Sequence, residues 1–439
     1  MHDRFDRSEW FRHDRFGLFI HWGAYAVPAR GEWVRSIDRI SVEDYQPDVD
    51  AFRPDSFDAD AWADAAAAAG MKYAVLTAKH HDGFCLFDSA LTDYTTMHNG
   101  FGRDVVAEFL AAFRARGIRV GLYYSLLDWH HPDYPAYGDD YHPMRDNPEW
   151  QGREHDFDRY LDYLHGQVRE LCTDYGDLDL LWFDFSYGDL RSDAWRAEEL
   201  VDMVRELQPN VLIDNRLEAS GSEKGSIVTE HPTPWSGDFA SPEQIIPAEG
   251  VRNEAGEPVP WEACITLNNN WGYSAFDTLW KPPELVVRKL VECVSKGGNL
   301  LLNVGPDARG RFPAPAVDIL RSVGGWLSEN GESVYGAGPS ELPKPEWGRY
   351  TERDGTVYAH VFEAPVGPLA LTELDPDEIA GVRLVRDASS LRPPHAWIAE
   401  GYPGLAFVSF GPQEAHSYPL PDPVDTVLAI TRRDGAGSA

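Results

Sequence analysis

Asp184, which ends a short apolar run, is the residue of this sequence that most directly suggests chemistry. Residues 179–184 read DLLWFD, and they lie between Asp177 and the turn-prone residues 186–188. A bounded apolar run of this length predicts a buried parallel strand. A carboxylate at the C-terminal end of such a strand points to the place where (β/α) barrels hold their catalytic groups. Asp184 is therefore the first candidate for a catalytic residue.

Polar and aromatic side chains lie at or just past the ends of the other predicted strands. They are His21, His80, His81, Tyr123, Tyr124, Trp182 and Arg216. Hydrogen-bonding groups and flat rings of this kind suit a neutral, hydroxyl-rich ligand. Each residue alone also has a structural explanation, as a satisfied core histidine or a packed ring. Their coincidence at one end of five strands favours a binding site.

The cluster His80-His81-Asp82 raises the alternative of a metal site. Adjacent residues of a strand point to opposite faces, so these side chains would not converge on one ion. The sequence also lacks a further ligand at metal-binding spacing, such as H-E-x-x-H. We therefore expect no metal, and no cofactor is predicted either.

A hydroxyl-rich ligand beside a strand-end carboxylate suggests cleavage of a glycosidic bond, which requires two carboxyl groups. Asp184 suits the nucleophile, and the proton donor must come from a neighbouring loop. The segment 217–262 offers six glutamates, among which spacing does not choose. They are Glu218, Glu223, Glu230, Glu243, Glu249 and Glu262.

The elements that must position these groups alternate between strands and helices. Strands are predicted at 16–23, 73–78, 118–125, 179–184, 211–216, 264–267 and 299–304, with a short one at 227–229. Helices are predicted at 59–70, 104–116, 154–173, 192–207, 283–295 and 314–328. About eight such units predict an α/β fold, a TIM-like (β/α)8 barrel over residues 1–335, with an open doubly wound sheet as the alternative.

After residue 335 the helical pattern ends. Short strand-like runs separated by Pro and Gly predict a small all-β sandwich domain over residues 336–432. The Gly/Ser/Ala-rich residues 433–439 are predicted to be a disordered tail.

Net charge limits the partners that this chain could bind. Its 39 basic and 72 acidic residues give −33, which argues against nucleic acid and anionic membrane surfaces. Such acidity with few lysines fits a high-salt cytoplasm or a GC-rich genome equally well. The four cysteines form no C-x-x-C pair and are expected to be free. Without a visible signal peptide or membrane-spanning run, we expect a cytoplasmic protein; a monomer and a homo-oligomer both stay open.

Several motifs in order resemble those of the α-L-fucosidases of glycoside hydrolase family 29. The resemblance extends from about residue 9 to 335 and rests on FIHWG (19–23), GEW (31–33), KHHDGF (79–84), YYS (123–125), LWFD (181–184), WGY (271–273) and GGNLLLNVGP (297–306). It implies a barrel followed by a β-sandwich and a retaining exo-fucosidase acting on terminal α-L-fucosides of a glycan or glycoside.

The resemblance also implies residue roles. Asp184 would be the nucleophile, with Arg216 beside the carboxylates. The groups that would hold fucose are His21, Glu32, Trp33, His80, His81, one of Tyr123 or Tyr124, Trp182 and Trp271. The acid/base would be Glu243, from the stretch GDFASPE, with Glu262 or Glu230 as alternatives. Phe185 departs from the family, because many members have glycine after the nucleophile.

Two other functions stay open at this point. One is a catalytically inactive, carbohydrate-binding relative, and the other is hydrolysis of a related L-sugar such as an α-L-galactoside. The intact Asp184, His80-His81 and Glu243 argue against an inactive relative. The choice of sugar depends on the walls around its C6 group, which the sequence does not identify.

Overall fold

The computed structural model describes residues 6–391, 396–411 and 418–433. Seven parallel strands form its main sheet, in the order β5-β4-β3-β2-β1-β7-β6. They are β1 Phe16–Ile20, β2 Tyr73–Lys79, β3 Arg119–Ser125, β4 Leu180–Asp184, β5 Leu212–Ile213, β6 Glu262–Thr266 and β7 Asn299–Val304. The TIM-like fold predicted from the alternating pattern is confirmed.

The gap between β5 and β6 is bridged by residues 239–243, which we call the seam. Isolated parallel bridges join Asp214 to Phe239, Ala240 to Trp261 and Glu243 to Cys264. The seam therefore takes the place of the missing eighth strand. The strand predicted at 227–229 is wrong: Gly225–Val228 is a 3-10 turn. The Glu218 carboxylate holds this turn by accepting from the amide and hydroxyl of Ser226.

Alternate residues of the strands point into the barrel. Leu180 and Trp182 of β4 lie in an interior cluster with Tyr123 of β3 and Cys264 of β6. Because side chains alternate along a strand, Asp184 continues the inward column of β4 at its C-terminal end. The interior side chains thus form a floor directly beneath the strand-end residues.

Helices pack around the barrel, and three of the long ones begin at aspartate N-caps. Asp58, Asp104 and Asp156 each accept from the backbone amide three residues ahead. The main helices are Val42–Ala51, Ala59–Ala68, Val105–Arg114, Phe157–Asp174, Ala197–Leu207, Pro283–Ser295 and Ala314–Asn330. Shorter ones are Glu9–Asp14, Val34–Ile37 and Ala396–Gly401. Within the described ranges, no helix is long and apolar enough to cross a membrane.

One predicted helix is interrupted. The expected helix over 192–207 is a 3-10 turn at Ser192–Trp195 followed by the helix Ala197–Leu207. Arg196 separates them because its backbone is left-handed, with φ of 49°. A left-handed residue cannot continue a right-handed helix, so the chain changes direction there.

Two antiparallel sheets follow the barrel. The strands are β8 Gly338–Pro339, β9 Gly348–Arg353, β10 Thr356–Val361, β11 Leu369–Leu371, β12 Ile379–Leu384, β13 Ala406–Val408 and β14 Thr426–Arg432. A five-stranded sheet has the order β12-β14-β10-β9-β8, and β11 pairs with β13. Side chains of both sheets share one core, as in the predicted sandwich. The domain boundary at 335 stays a prediction, and residues 434–439 of the predicted tail lie outside the described residues.

Candidate active site

Arg216 lies at the centre of the strand-end cluster and joins two carboxylates. Its Nη1 donates to Asp184 Oδ1 at 3.0 Å and to Glu243 Oε2 at 3.1 Å. These two oxygens can therefore lie no more than 6.1 Å apart, the sum of 3.0 and 3.1 Å. Burial disfavours the charge of Arg216, but the two carboxylates outweigh it and raise the pKa of the guanidinium. Arg216 stays cationic and fixes both acids.

Asp184 is held by three donors. Besides Arg216, the hydroxyl of Tyr123 donates to its Oδ2 at 2.8 Å, and the backbone amide of Phe185 also bonds to the carboxylate. Burial raises the pKa of Asp184 to about 6, against the opposing effect of Arg216, and the nearby Glu243 raises it further. Asp184 is consequently ionised at neutral pH and protonated in moderate acid.

Glu243 occupies the end of the seam. The bridge to Cys264 of β6 and the amide of Gln244, which donates to the Cys264 carbonyl at 2.9 Å, hold this residue in place. The Glu243 side chain is 32% exposed, compared with 14% for Asp184. Of the two carboxylates, Glu243 is thus the one with access to solvent and to an incoming group.

The other glutamates proposed as proton donors lie elsewhere. Glu262 is fully buried at the start of β6, where Trp182 Nε1 and the Tyr73 hydroxyl occupy its two oxygens at 2.8 and 2.7 Å. Glu230 is exposed, and its backbone amide donates to Glu254. Neither of these two side chains shares Arg216 with Asp184, so the geometry favours Glu243 over both.

His21 and Trp271 form one wall of the site. The His21 ring lies 5.0 Å from that of Trp271, and its Nδ1 pairs with Asn303 Oδ1 at 2.7 Å. Asn303 also donates to the Trp271 carbonyl at 2.7 Å, which ties β7 to the loop after β6. Burial lowers the pKa of His21 to about 3. The imidazole is therefore neutral, with its tautomer set by Asn303.

His80 and His81 both lie on the site side, contrary to the alternation expected from their adjacency. Strand β2 ends at Lys79, so the two residues follow the strand and do not alternate across it. The His80 ring stacks at 5.6 Å on Tyr123, and the Nδ1 atom of His81 pairs with the Ser125 hydroxyl at 2.7 Å. Burial lowers both pKa values well below the usual range, so both rings are neutral.

Glu32 and Trp33 enter from the loop after β1. The Glu32 carboxylate accepts from the amide of Gly272 at 2.7 Å, and burial raises its pKa to about 7. The Trp33 ring contacts those of His81 at 5.0 Å and Phe185 at 5.3 Å. This loop therefore connects the histidine wall with the loop that carries Trp271.

The two adjacent tyrosines of β3 point in opposite directions. Tyr123 points inward to Asp184, whereas the Tyr124 hydroxyl donates to Gln167 of the helix Phe157–Asp174 at 2.8 Å. Tyr124 also lies 4.3 Å beneath the ammonium of Lys79, which is fully buried and pairs with Asp128 at 3.1 Å. The structure thus places Tyr123 in the cluster and Tyr124 outside it.

Trp182 lies beneath the cluster. Its ring is only 1% exposed, and the guanidinium of Arg216 sits 5.0 Å above it. Tyr123 stacks beside it at 6.3 Å. Trp182 is accordingly part of the floor that supports Arg216 and Tyr123.

Three positioning residues escaped the sequence analysis: Asn303, Ser241 and Asp128. Ser241 accepts from Arg216 Nε at 2.9 Å, and Asp128 accepts from the amides of His130 and His131. Asn303 lies within the apolar run 299–304, where an inward polar residue in a predicted buried strand was an available signal. Ser241 and Asp128 lie on irregular backbone and carried no such signal.

Phe185 has an unusual backbone. Its φ of 87° lies in a region that a bulky residue seldom adopts. The ring packs against His81 at 5.0 Å and Tyr141 at 4.9 Å. Phe185 therefore has a backbone conformation typical of glycine and adds an aromatic wall next to Asp184.

The arrangement combines two carboxylates that share one cation with neutral imidazoles and aromatic rings. Across the described ranges, no group of three or more His, Cys, Asp or Glu side chains is placed to hold a metal ion. A separation of at most 6.1 Å between the paired oxygens fits the roughly 5–5.5 Å of retaining glycosidases, not the roughly 6.5–9.5 Å of inverting ones.

Comparison with known proteins agrees with this geometry. A family model described as alpha-L-fucosidase matches residues 2–332. An alpha-L-fucosidase of Dictyostelium discoideum is 30% identical over 81% of this chain and 78% of its own length. The tissue alpha-L-fucosidase of Rattus norvegicus is 31% identical over 81% of this chain and 76% of its own.

Solved structures extend the comparison to the whole fold. Alpha-L-fucosidase isoenzyme 1 from Paenibacillus thiaminolyticus has a TM-score of 0.94 and 55% identity, covering 98% of this chain and 100% of its own. A family 29 alpha-L-fucosidase from Bacteroides thetaiotaomicron, trapped as a covalent intermediate with 2-fluoro-fucosyl fluoride in a glutamate-to-glutamine mutant, has a TM-score of 0.79 and 26% identity. It covers 98% of this chain and 96% of its own.

Proposed function

Because the chain belongs to the α-L-fucosidases of glycoside hydrolase family 29, we propose that it hydrolyses terminal α-L-fucosides by double displacement, with Asp184 as nucleophile and Glu243 as acid/base. The observation that carries the proposal is the sharing of Arg216 Nη1 by these two carboxylates. A pair this close leaves too little space for the water of an inverting enzyme.

In the first step Asp184 attacks the anomeric carbon. The bond from that carbon to the leaving oxygen breaks, and Glu243 transfers its proton to this oxygen. The product is a fucosyl ester of Asp184 and a free alcohol. Arg216 and the Tyr123 hydroxyl keep Asp184 ionised and aimed before the attack. The covalent intermediate trapped in the Bacteroides relative supports this course.

In the second step water enters where the leaving group was. Glu243 takes a proton from this water, whose oxygen attacks the anomeric carbon and releases Asp184 as a carboxylate. The two inversions give α-L-fucose with retained configuration. The greater exposure of the Glu243 side chain, 32% against 14% for Asp184, supports its role as the group that meets the leaving alcohol and then water.

The neutral side chains of the site would hold the sugar. His21, His80 and His81 can donate and accept hydrogen bonds without introducing charge, which suits hydroxyl groups. Glu32 is placed to accept from hydroxyls, while Trp33 and Trp271 offer ring faces to the sugar.

The stereochemistry of azide rescue tests both roles together. Asp184→Gly should lower hydrolysis of p-nitrophenyl α-L-fucoside by about 10⁴-fold or more. Azide should then attack the anomeric carbon directly and give β-L-fucosyl azide. In Glu243→Ala, azide should instead attack the fucosyl-enzyme and give the α-L-azide. The two products are distinguished by proton NMR.

Glu262→Gln serves as the matched control, since it changes a buried glutamate at the start of β6 that does not contact Arg216. It should retain turnover and form no azide adduct. If Asp184→Gly kept substantial activity, or if both active-site variants gave the same anomer, the assigned roles would be wrong. A wild-type protein that binds fucose without hydrolysing any fucoside would indicate an inactive relative.

A further inference from the structure

A second cleft opens at the same end of the barrel as the candidate active site. Its volume is about 520 Å³, and it lies between the loops that follow β6 and β7. Six of its lining residues bear on the argument. They are Tyr273, Asp277, Trp280, Asp307, Arg311 and Phe312.

This cleft shares a loop with the wall of the site that contains His21 and Trp271. Tyr273 is two residues after Trp271, whose ring contacts His21. The carbonyl of Tyr273 accepts from the amide of Gly31 at 3.1 Å, directly before Glu32. One loop therefore presents Trp271 to the first pocket and Tyr273 to the second.

The cleft also lies on the side of the proton donor. Around the barrel, β4 with Asp184 is followed by β5 with Arg216, then by the seam with Glu243, and then by β6. Gln244 binds β6 directly, its side-chain amide donating to the Thr266 hydroxyl at 3.0 Å. In the proposed mechanism the leaving group departs from the face of the sugar opposite to Asp184, where Glu243 protonates it. The seam that carries Glu243 is bridged to β6, whose following loop forms one side of the cleft.

The lining suits a saccharide. Tyr273, Trp280 and Phe312 are all partly exposed, so ring faces are available for stacking on the C–H faces of a sugar. Asp277, Asp307 and Arg311 add hydrogen-bonding groups, and the Arg311 side chain is 56% exposed. Aromatic faces with a few polar groups are the usual lining of ligand clefts.

The cleft is built on a fixed backbone. The Asp277 carboxylate accepts from the amide of Asn269 and the side chain of Asn270, both at 2.7 Å. Asp307 binds Arg311 at 2.7 Å, and the Phe312 ring stacks on Trp62 at 5.3 Å. Because these contacts order the loops before any ligand arrives, binding there would cost little ordering entropy.

We propose that this cleft binds the sugar residues to which the fucose is attached, as a subsite for the glycan part of the substrate. The inference rests on the proposed function, since it assigns the leaving group of the same reaction. Trp280 supplies the stacking platform, and Asp277 and Arg311 bind sugar hydroxyls. The enzyme then prefers fucosylated oligosaccharides to fucosides with small leaving groups.

Trp280→Ala tests the proposal when two substrates are compared. The first is the best-cleaved member of a panel of fucosylated tri- and tetrasaccharides with different linkages, and the second is α-L-fucosyl fluoride, whose leaving group cannot reach the cleft. The variant should lower kcat/KM for the glycan about tenfold and leave that for the fluoride unchanged. Trp280→Phe, which keeps a ring, should recover most of the loss.

Phe276→Ser provides the matched control on the same loop, because Phe276 is 80% exposed and lies outside the lining. It should change neither value. Equal losses for both substrates in Trp280→Ala, or equal glycan losses in Phe276→Ser, would overturn the inference. So would a wild-type enzyme that cleaves the fluoride but no glycan of the panel. A protein that cleaves neither substrate would refute the proposed function, and the subsite with it.

Discussion

Asp184 and Glu262 occupy opposite ends of the barrel interior and differ in the partners that meet their carboxyl groups. Asp184, at the site end, accepts from the cation Arg216 and from Tyr123. Glu262, at the base, accepts only from the neutral donors Trp182 and Tyr73, and its pKa is raised by burial to about 7. Burial penalises charge at both ends, so the partner decides whether a carboxylate can react.

Trp182 connects the two ends. Its indole nitrogen donates to Glu262 below, and its ring lies under Arg216 above. The base of the barrel therefore supports the site through packing and one hydrogen bond. The cation Arg216 and the two carboxylates that it joins lie at the other end. Two substitutions and one pH profile test this difference between the two ends of the barrel.

Arg216→Met should have the largest effect, because it removes the cation that the two site carboxylates share. We expect kcat/KM for p-nitrophenyl α-L-fucoside to fall by about 10²–10³-fold, the usual cost of removing a preorganised electrostatic group. The pKa of Asp184 should rise as well, since Arg216 lowers it in the native protein. Steady-state kinetics over a range of pH measure both changes.

Arg205→Met is the control, because Arg205 also pairs with a buried carboxylate, Asp238, but lies outside the cluster. Its activity should be close to that of the wild type. If Arg216→Met kept nearly full activity, the charged partner would not distinguish the site end of the barrel from its base.

Glu262→Gln should change stability, with little loss of activity. The Glu262 carboxyl is protonated in the folded protein below about pH 7, whereas its usual value is 4.5. The contribution of this carboxyl group to the free energy of unfolding is thus fully present below pH 4.5 and is lost as the pH rises through 7. The neutral glutamine avoids this loss, so relative to wild type the variant should gain roughly 3 kcal/mol between pH 4 and 9.

Denaturant unfolding of both proteins across this pH range measures the difference between their free energies of unfolding. The other titrating groups are the same in both proteins, so their contributions cancel in this difference. Parallel stability curves would mean that Glu262 is ionised at the base after all. A collapse of turnover in the variant would return the proton-donor role to Glu262, which the geometry disfavours.

The smallest expected effect is the decline of wild-type kcat/KM at acidic pH, which forms the acidic limb of the pH profile. In the proposed mechanism Asp184 must be ionised to attack. Because burial raises its pKa to about 6, kcat/KM should decline as the pH falls through that value. The decline should approach about tenfold per pH unit. Measurement with α-L-fucosyl fluoride makes the limb independent of the leaving group.

Comparison with Glu262→Gln makes this measurement specific to the site end. The pH at which kcat/KM declines should be unchanged in Glu262→Gln and should be higher in Arg216→Met. A wild-type limb near pH 4, unaffected by Arg216, would contradict the coupling between the two residues.

Much of this arrangement could be predicted from the sequence, because apolar runs mark strands such as β4 and amphipathic runs mark helices. The choice between Tyr123 and Tyr124 could not, since it depends on the register that pairs Tyr123 with Trp182. The position of His81 could not either, because it depends on β2 ending at Lys79.

The seam could not be predicted from local sequence patterns, for a different reason. Residues 239–243 read FASPE, with a proline that cannot donate to a ladder and no apolar period. Tertiary contacts alone define this segment as part of the barrel. Glu243 could accordingly be proposed from family resemblance but not from periodicity.

The seam also gives the two proposed catalytic carboxylates different tolerance to insertions nearby. Asp184 ends β4, which is hydrogen-bonded to neighbours on both sides, so insertions there would disturb the whole sheet. Glu243 sits on a segment joined by single bridges and flanked by long loops at 217–238 and 244–261. The loops around Glu243, the proposed proton donor, can therefore be lengthened or changed with less disturbance of the sheet than the surroundings of Asp184, the proposed nucleophile. We expect loop changes that alter substrate preference to be tolerated best around the seam.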